Sequence, residues 1–239
     1  MTPRFFIDLP LHAGETIALP AGPARHVQVL RLQPGAAITL FDGSGGEWPA
    51  IVASMGRSDV TVQLGERVDV NRELACHVTL ALGMPANERM DTVIEKATEL
   101  GVSAIQPLHC ERSVLRLNAE RAQKKVAHWQ GVAIAACEQS GRTCVPMIAP
   151  VRSLIDWLRE PVAEGTTRWM LSFQDTYPID VVMPPSPHVL CLSGPEGGLS
   201  PAEEAAAKST GFTAISLGPR VLRADTAPLA VMALIALRG

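Results

Sequence analysis

From Cys76 to the C-terminus, short apolar runs alternate with stretches of helical periodicity, and this alternation constrains the fold more than any other feature of the chain. Val78-Thr-Leu-Ala-Leu82 reads as a buried strand. Met90, Val93, Ile94, Ala97 and Leu100 then recur at helical spacing until Gly101 stops the helix. The predicted order continues with a strand over Ala104 to Leu108, a helix from about Ala119 to Cys137 with Asn118 as N-cap, and a strand over Trp169 to Phe173. A Pro-rich loop, Pro178 to Pro187, leads to a strand over Val189 to Ser193 and a helix over Pro201 to Lys208. A strand over Ala214 to Leu217 and an apolar helix from Ala227 complete the chain. Strands alternating with helices predict an α/β domain with a mostly parallel sheet and helices on both faces.

The first seventy or so residues differ. Ala36 to Phe41, Trp48 to Ala53 and Asp59 to Leu64 are β-type runs separated by turn clusters, Asp42-Gly-Ser-Gly-Gly46 and Gly56-Arg-Ser-Asp59. They predict a small β-rich module or barrel, with a boundary near Leu74 that divides the chain into residues 1–73 and 74–239.

The formal charge of −3 does not advertise a polyanion partner, so any nucleic-acid surface has to be a local patch. Five cysteines, spread without a C-x-x-C pair and without clustered histidines, predict no metal site and fit a reducing cytosol. The N-terminus lacks the apolar run of a signal peptide, and the longest apolar run, Ala227 to Leu237, is far short of a membrane span, so a cytoplasmic protein with no membrane partner is expected.

Two loops carry the chemistry: Leu192-Ser-Gly-Pro-Glu-Gly-Gly-Leu-Ser-Pro-Ala-Glu-Glu204 and Leu217-Gly-Pro-Arg-Val-Leu-Arg-Ala-Asp-Thr-Ala227. Ser200-Pro-Ala-Glu203 is a capping box with proline at the first helical position, so the helix starts after the glycines. The glycine loop is then a wall rather than a phosphate cradle, and it matches neither dinucleotide nor P-loop spacing. Gly197 and Gly198 tolerate positive φ and let main-chain groups face a flat ligand directly. Gly218-Pro219 makes a second tight turn, Thr226 is a candidate cap for the last helix, and Arg220, Arg223 and Asp225 crowd into six residues. Two such loops after consecutive strands predict a ligand site.

With Arg4-Phe-Phe6, His26-Val-Gln-Val-Leu-Arg31, Ile94-Glu-Lys-Ala-Thr-Glu-Leu-Gly101, Glu111-Arg-Ser113, Glu138-Gln-Ser-Gly-Arg142 and both C-terminal loops, the chain resembles the RsmE family of the SPOUT superfamily, whose members methylate N3 of a uridine in small-subunit ribosomal RNA. The resemblance covers the whole length. It implies a PUA-like N-terminal β-barrel over residues 1–73 and a SPOUT methyltransferase domain over 74–239, with a deep trefoil knot over roughly 168–239. The implied cofactor is S-adenosylmethionine, bound by Leu171 and Ser172, by Ser193, Gly194, Pro195, Gly197 and Gly198, and by Leu217, Gly218, Pro219, Leu222 and Thr226. Small-subunit ribosomal RNA or the assembled 30S subunit is the implied substrate, and a homodimer the implied state. The chain departs from the family pattern at Asp225, where relatives usually carry glutamate, at Pro228, where they tend to carry alanine, and at Ala86, where a basic residue is usual.

For that reaction the uracil imide has to shed its proton. Arg223, assisted by Arg220, is the expected stabiliser of the developing oxyanion, an effect of ~3 kcal/mol per donor. Glu196 and Asp225 are the candidate bases, each with a competing structural reading as a turn residue or a salt-bridge partner. From His109 to Pro146 six Lys/Arg face three Asp/Glu, an excess of +3 that predicts an RNA strip including Arg112, Glu138, Gln139 and Arg142. Arg4, Arg25, His26 and Arg31 are the expected RNA contacts of the N-terminal module. A related enzyme acting on another base or on a ribose, and a non-catalytic RNA-binding assembly factor, are the alternative readings.

Overall fold

A computed structural model describes residues 2–57, 59–86, 89–182 and 186–238. By its internal contacts the chain divides into two compact units: Met1–Glu73 with Ile134–Val145, and Leu74–Ala133 with Pro146–Gly239.

The first unit contains β1 (Arg4–Phe6), β2 (Thr16–Ala18), α1 (Ala21–Val29), β3 (Ala37–Phe41), β4 (Trp48–Met55) and β5 (Val60–Leu64). Its sheet runs β1-β3-β4-β5-β2; β1 is parallel to β3 and the other pairs are antiparallel. Alternate residues of β4 and β5 point inward, so Trp48, Ala50, Val52, Val60, Val62 and Leu64 join Phe5, Ile7, Ile38 and Leu40 in one core. Helix α1 is absent from the sequence reading; it buries only Ala24 and Val27. His26, on that helix, is exposed, with Phe5 edge-on at 5.2 Å between ring centroids.

The second unit follows the predicted alternation. Its elements are β6 (His77–Gly83), α2 (Arg89–Glu99), β7 (Ala104–His109), α3 (Ala119–Ser140, whose last turns group with the first unit), β8 (Met147–Ile148), β9 (Arg152–Ser153) and α4 (Leu154–Leu158). They continue with β10 (Thr167–Leu171), β11 (Tyr177–Pro178), α5 (Ile179–Val182), β12 (His188–Ser193), α6 (Pro201–Ser209), β13 (Thr213–Ser216) and α7 (Thr226–Ala236). Asn118 accepts from the Arg121 N–H at 2.9 Å, as its cap role requires. The predicted Pro-rich loop is broken by β11 and α5, and its residues 183–185 lie outside the described residues.

The sheet order is β11-β13-β10-β12-β6-β7-β8, with β9 also on β7, and every ladder in it is parallel. Because β12 and β13 flank β10 on opposite sides and run parallel to it, the carboxyl ends of all three strands meet at one edge of the sheet. Val78, Leu80, Ile94, Ile105, Trp129, Trp169, Val231 and Met232 lie in the core on one face; Leu108, Met170, Leu192, Ala207 and Phe212 form a second cluster. Among the described residues no helix is long and apolar enough to cross a membrane.

Candidate functional site

The loops that follow β10, β12 and β13 enclose a cavity of about 640 Å³. Its size falls among ligand pockets, and it lies at the strand carboxyl ends where open α/β sheets bind ligands.

The first wall follows β10. Ser172 donates to Glu204 at 3.0 Å and accepts from the Gln174 N–H at 3.1 Å, which fixes the chain as it leaves the strand. The strand itself runs Thr167–Leu171, two residues earlier than predicted, so Phe173 stands 69% exposed at the cavity rim instead of inside the sheet.

The second wall is a β-turn. The Gly198 N–H donates to the Pro195 carbonyl at 2.8 Å, and Gly198 at the end of the turn has φ +68°. A Cβ on Gly194 would lie 2.8 Å from the Leu199 nitrogen, because the loop folds back on itself there. By contrast, a Cβ on Gly198 or Gly218 would meet nothing within 4 Å, so both α-carbons face open space. The capping box forms as expected, with Ser200 accepting from the Glu203 N–H and Glu203 accepting from the Ser200 N–H.

The third wall brings Leu217, Gly218, Arg220, Val221, Leu222, Arg223 and Ala224 to the cavity. Both arginines are exposed, and neither forms an ion pair among the described residues. The expected Arg223–Asp225 salt bridge is absent; Asp225 instead accepts from the Thr226 hydroxyl at 3.2 Å. Thr226 does not cap the last helix but begins it, and Asp225 occupies the cap position without its side chain accepting from a helix N–H. Pro219, Asp225 and Thr226 are not among the lining residues, whereas Leu171, Ser172, Ser193, Gly194, Pro195, Gly197, Gly198, Leu217, Gly218 and Leu222 are. Pro228 is buried in the first helical turn, where its missing N–H has no intrahelical partner to lose.

Glu196 also lines the cavity, and its Oε1 accepts from the Ala86 N–H at 2.9 Å and from Arg89 at 3.1 Å. The carboxylate therefore ties its turn to the segment after β6 rather than to its own loop. Sequence reasoning missed Arg89, Arg112 and Glu204 as lining residues. Glu204 was legible in principle, since the first turn of a capped helix that follows the glycine loop has to border it. Burial pushes the Cys110 thiol up to about 12, with Glu203 adding to the rise, so no thiolate is available near the site.

The expected RNA contacts divide sharply. Arg25, His26, Arg31 and Gln139 are exposed. Arg4 is not: it pairs with Glu47, donates to the Gly141 and Arg142 carbonyls at 3.2 Å each, and its side chain is 8% exposed. Arg142 is buried against Glu73, and Glu138 accepts from the Phe6 N–H at 2.9 Å. Arg112 turns to the second wall, donating to the Gly197 and Leu199 carbonyls. These four side chains hold the protein's own backbone and carboxylates, which a count of cations along the sequence cannot detect. Among the described residues no group of three or more His, Cys, Asp or Glu comes together to hold a metal ion.

Residues 72–236 match the family model described as an RNA methyltransferase domain, and residues 24–65 match that of an RNA methyltransferase PUA domain. Fold and site thus define a chain of the RNA methyltransferase class. A ribosomal RNA small subunit methyltransferase E from Bacillus subtilis is 30% identical over 97% of this chain and 95% of its own length, and one from Synechocystis is 34% identical over 92% and 72%. The crystal structure of a ribosomal RNA small subunit methyltransferase E from Neisseria gonorrhoeae bound to S-adenosyl methionine superposes with a TM-score of 0.94 at 36% identity, covering 98% of this chain and 97% of that one. The chain belongs to the ribosomal RNA small subunit methyltransferase E family.

Proposed function

We propose that this chain binds S-adenosylmethionine in the 640 Å³ cavity and methylates N3 of a uridine in small-subunit ribosomal RNA. The observation that carries the reading is the cradle itself, where Gly198 and Gly218 turn bare α-carbons toward open space that any Cβ would enter. Main-chain groups of three loops then hold a flat heterocycle at close range, and Ser172, Ser193 and Glu204 add polar side chains around it. When bound, S-adenosylmethionine supplies an electrophilic methyl group.

The chain's own residues handle the imide. Arg223 and Arg220, which line the cavity and pair with no carboxylate among the described residues, stabilise negative charge on a uracil carbonyl beside N3 as the proton leaves. Of the two candidate bases, Glu196 borders the cavity and Asp225 does not, so the proton is assigned to Glu196 Oε2, the oxygen left free by Ala86 and Arg89. The same reading has the chain as a cytoplasmic homodimer with a trefoil knot over roughly residues 168–239, and as acting on the free RNA or the 30S subunit through Arg25, His26, Arg31 and Gln139.

Labelled methyl transfer to small-subunit RNA, with the modified nucleoside mapped by mass, tests the proposal. Label at N3 of one uridine is the expected result. Label on a ribose or another base would move the assignment to a related enzyme, and tight RNA binding without transfer would make the chain an assembly factor.

A further inference from the structure

The turn after β7 grips the glycine loop through Arg112, which itself borders the cavity. Arg112 Nη1 donates to the Gly197 carbonyl at 3.0 Å and to the Leu199 carbonyl at 3.2 Å. A Cβ on Gly197 would lie 3.0 Å from the Cβ of Arg112, so the arginine stem packs directly against the loop. One residue earlier, the Glu111 N–H donates at 2.7 Å to Oε1 of Glu203, whose Oε2 takes the Ser200 N–H at 2.8 Å. Glu203 is 5% exposed, so this carboxylate is a buried bridge between the turn and the cap of α6. Ser113, 6% exposed, closes the turn by accepting from the Cys110 N–H at 3.0 Å.

Two adjacent glycines sample both signs of φ when nothing holds them, and a cradle with main-chain walls loses its shape when they do. Arg112, at the Gly197 and Leu199 carbonyls, and Glu203, at the Ser200 N–H, remove that freedom from the C-terminal half of the segment and the start of α6. We propose that they are positioning residues for the cofactor cradle: they preset Gly194–Leu199 in the conformation that receives S-adenosylmethionine, and Arg112 is not a phosphate contact. The proposal rests on the cofactor reading above. It accounts for why Glu111-Arg-Ser113 and the distant glycine loop belong to one site.

The test uses the full chain, wild type and with Arg112→Ala, Arg112→Lys or Glu203→Gln, and three measurements. Hydrogen exchange on the ligand-free protein reads the loop alone; calorimetry reads S-adenosylmethionine affinity; RNA binding against salt concentration reads phosphate contacts. With Arg112→Ala, the amides of Gly194–Leu199 are expected to exchange faster, and the Kd for S-adenosylmethionine to rise roughly tenfold, the scale of a lost charge-assisted hydrogen bond. Arg112→Lys recovers part of both, Glu203→Gln loosens the Ser200 end, and the salt slope of RNA binding stays at the wild-type value. Unchanged loop exchange, or unchanged cofactor affinity with a salt slope smaller by about 1, overturns the proposal and returns Arg112 to the RNA surface. Faster loop exchange in a protein whose wild type gives no heat with S-adenosylmethionine would retain the clamp and sink the methyl-donor reading instead.

Discussion

Arg142 donates from Nε to both carboxylate oxygens of Glu73, at 3.2 and 3.1 Å, with its own side chain only 5% exposed. A guanidinium held this way is committed: its partner is 69 residues away in sequence and its charge is out of reach of a polyanion. Removing one member of a buried pair strands the other, a loss of about 3 kcal/mol. Arg142→Gln should therefore lower the urea midpoint substantially while leaving the salt slope of RNA binding at the wild-type value. A drop of about 1 in that slope, with stability intact, would restore Arg142 to the RNA strip.

Two carboxylates of the same unit have pKa values shifted in opposite directions. Burial alone would raise the Glu47 pKa, but hydrogen bonds and charge from Arg4 and Arg72 outweigh it and hold the group below its ordinary value of 4.5. Its contribution is present above that value and is lost as pH falls through the lowered pKa. Burial dominates at Glu138 and raises its pKa despite the Phe6 N–H and the nearby His26 and Arg4. The folded state thus holds that proton more tightly, and the contribution of Glu138 is lost as pH rises through the raised value. Urea unfolding followed from below 4.5 to neutrality should show Glu138→Gln gaining on wild type with rising pH. Glu47→Gln should fall behind wild type over the same range.

The glycines of the cradle separate backbone strain from steric closure. Gly198→Ala places a Cβ in open space at φ +68°, a strain of ~1–2 kcal/mol for an L-residue, and the protein should still fold. Gly194→Ala instead drives a Cβ to 2.8 Å from the Leu199 backbone nitrogen, which no rotamer relieves. Calorimetry should find S-adenosylmethionine affinity weakened roughly tenfold by the first substitution, the equivalent of ~1.4 kcal/mol, and abolished by the second. Equal affinities in both variants would contradict the main-chain cradle.

What could be read from sequence follows from the range of the interactions. The longer strands and helices of the second unit, β6, α2, β7, α3, β10, β12, α6, β13 and α7, are legible because they carry their own periodicity, cap or stop, as with Asn118, the Ser200–Glu203 box and Gly101; β11, α4 and α5, at two to five residues, are not. Helix α1 is not, since Gly22 and Pro23 lie in its first turn and only two side chains are buried. Strands β1, β2, β8 and β9 are two or three residues long and exist only through their partners. The cavity is legible as loops after strands, because glycine and proline act locally. The tasks of Arg4, Arg112 and Arg142 are not, because each is set by an acceptor between 43 and 138 residues away.

Arg223 tests the chemistry. It lines the cavity, is exposed, and forms no ion pair with Asp225, so its guanidinium is free to meet charge that appears only as the imide loses its proton. Its carbonyl, by contrast, does structural work at the start of α7, accepting from the N–H groups of Thr226 and Ala227 at 3.0 Å, and that role survives any side-chain substitution. Arg223→Ala should thus leave the fold and S-adenosylmethionine affinity near wild type while lowering kcat by about 10²–10³, the scale of one lost oxyanion donor. Single-turnover methyl transfer at saturating cofactor and RNA measures this directly. A comparable loss in cofactor affinity would mean that the guanidinium holds the ligand before reaction and contributes nothing specific to the transition state.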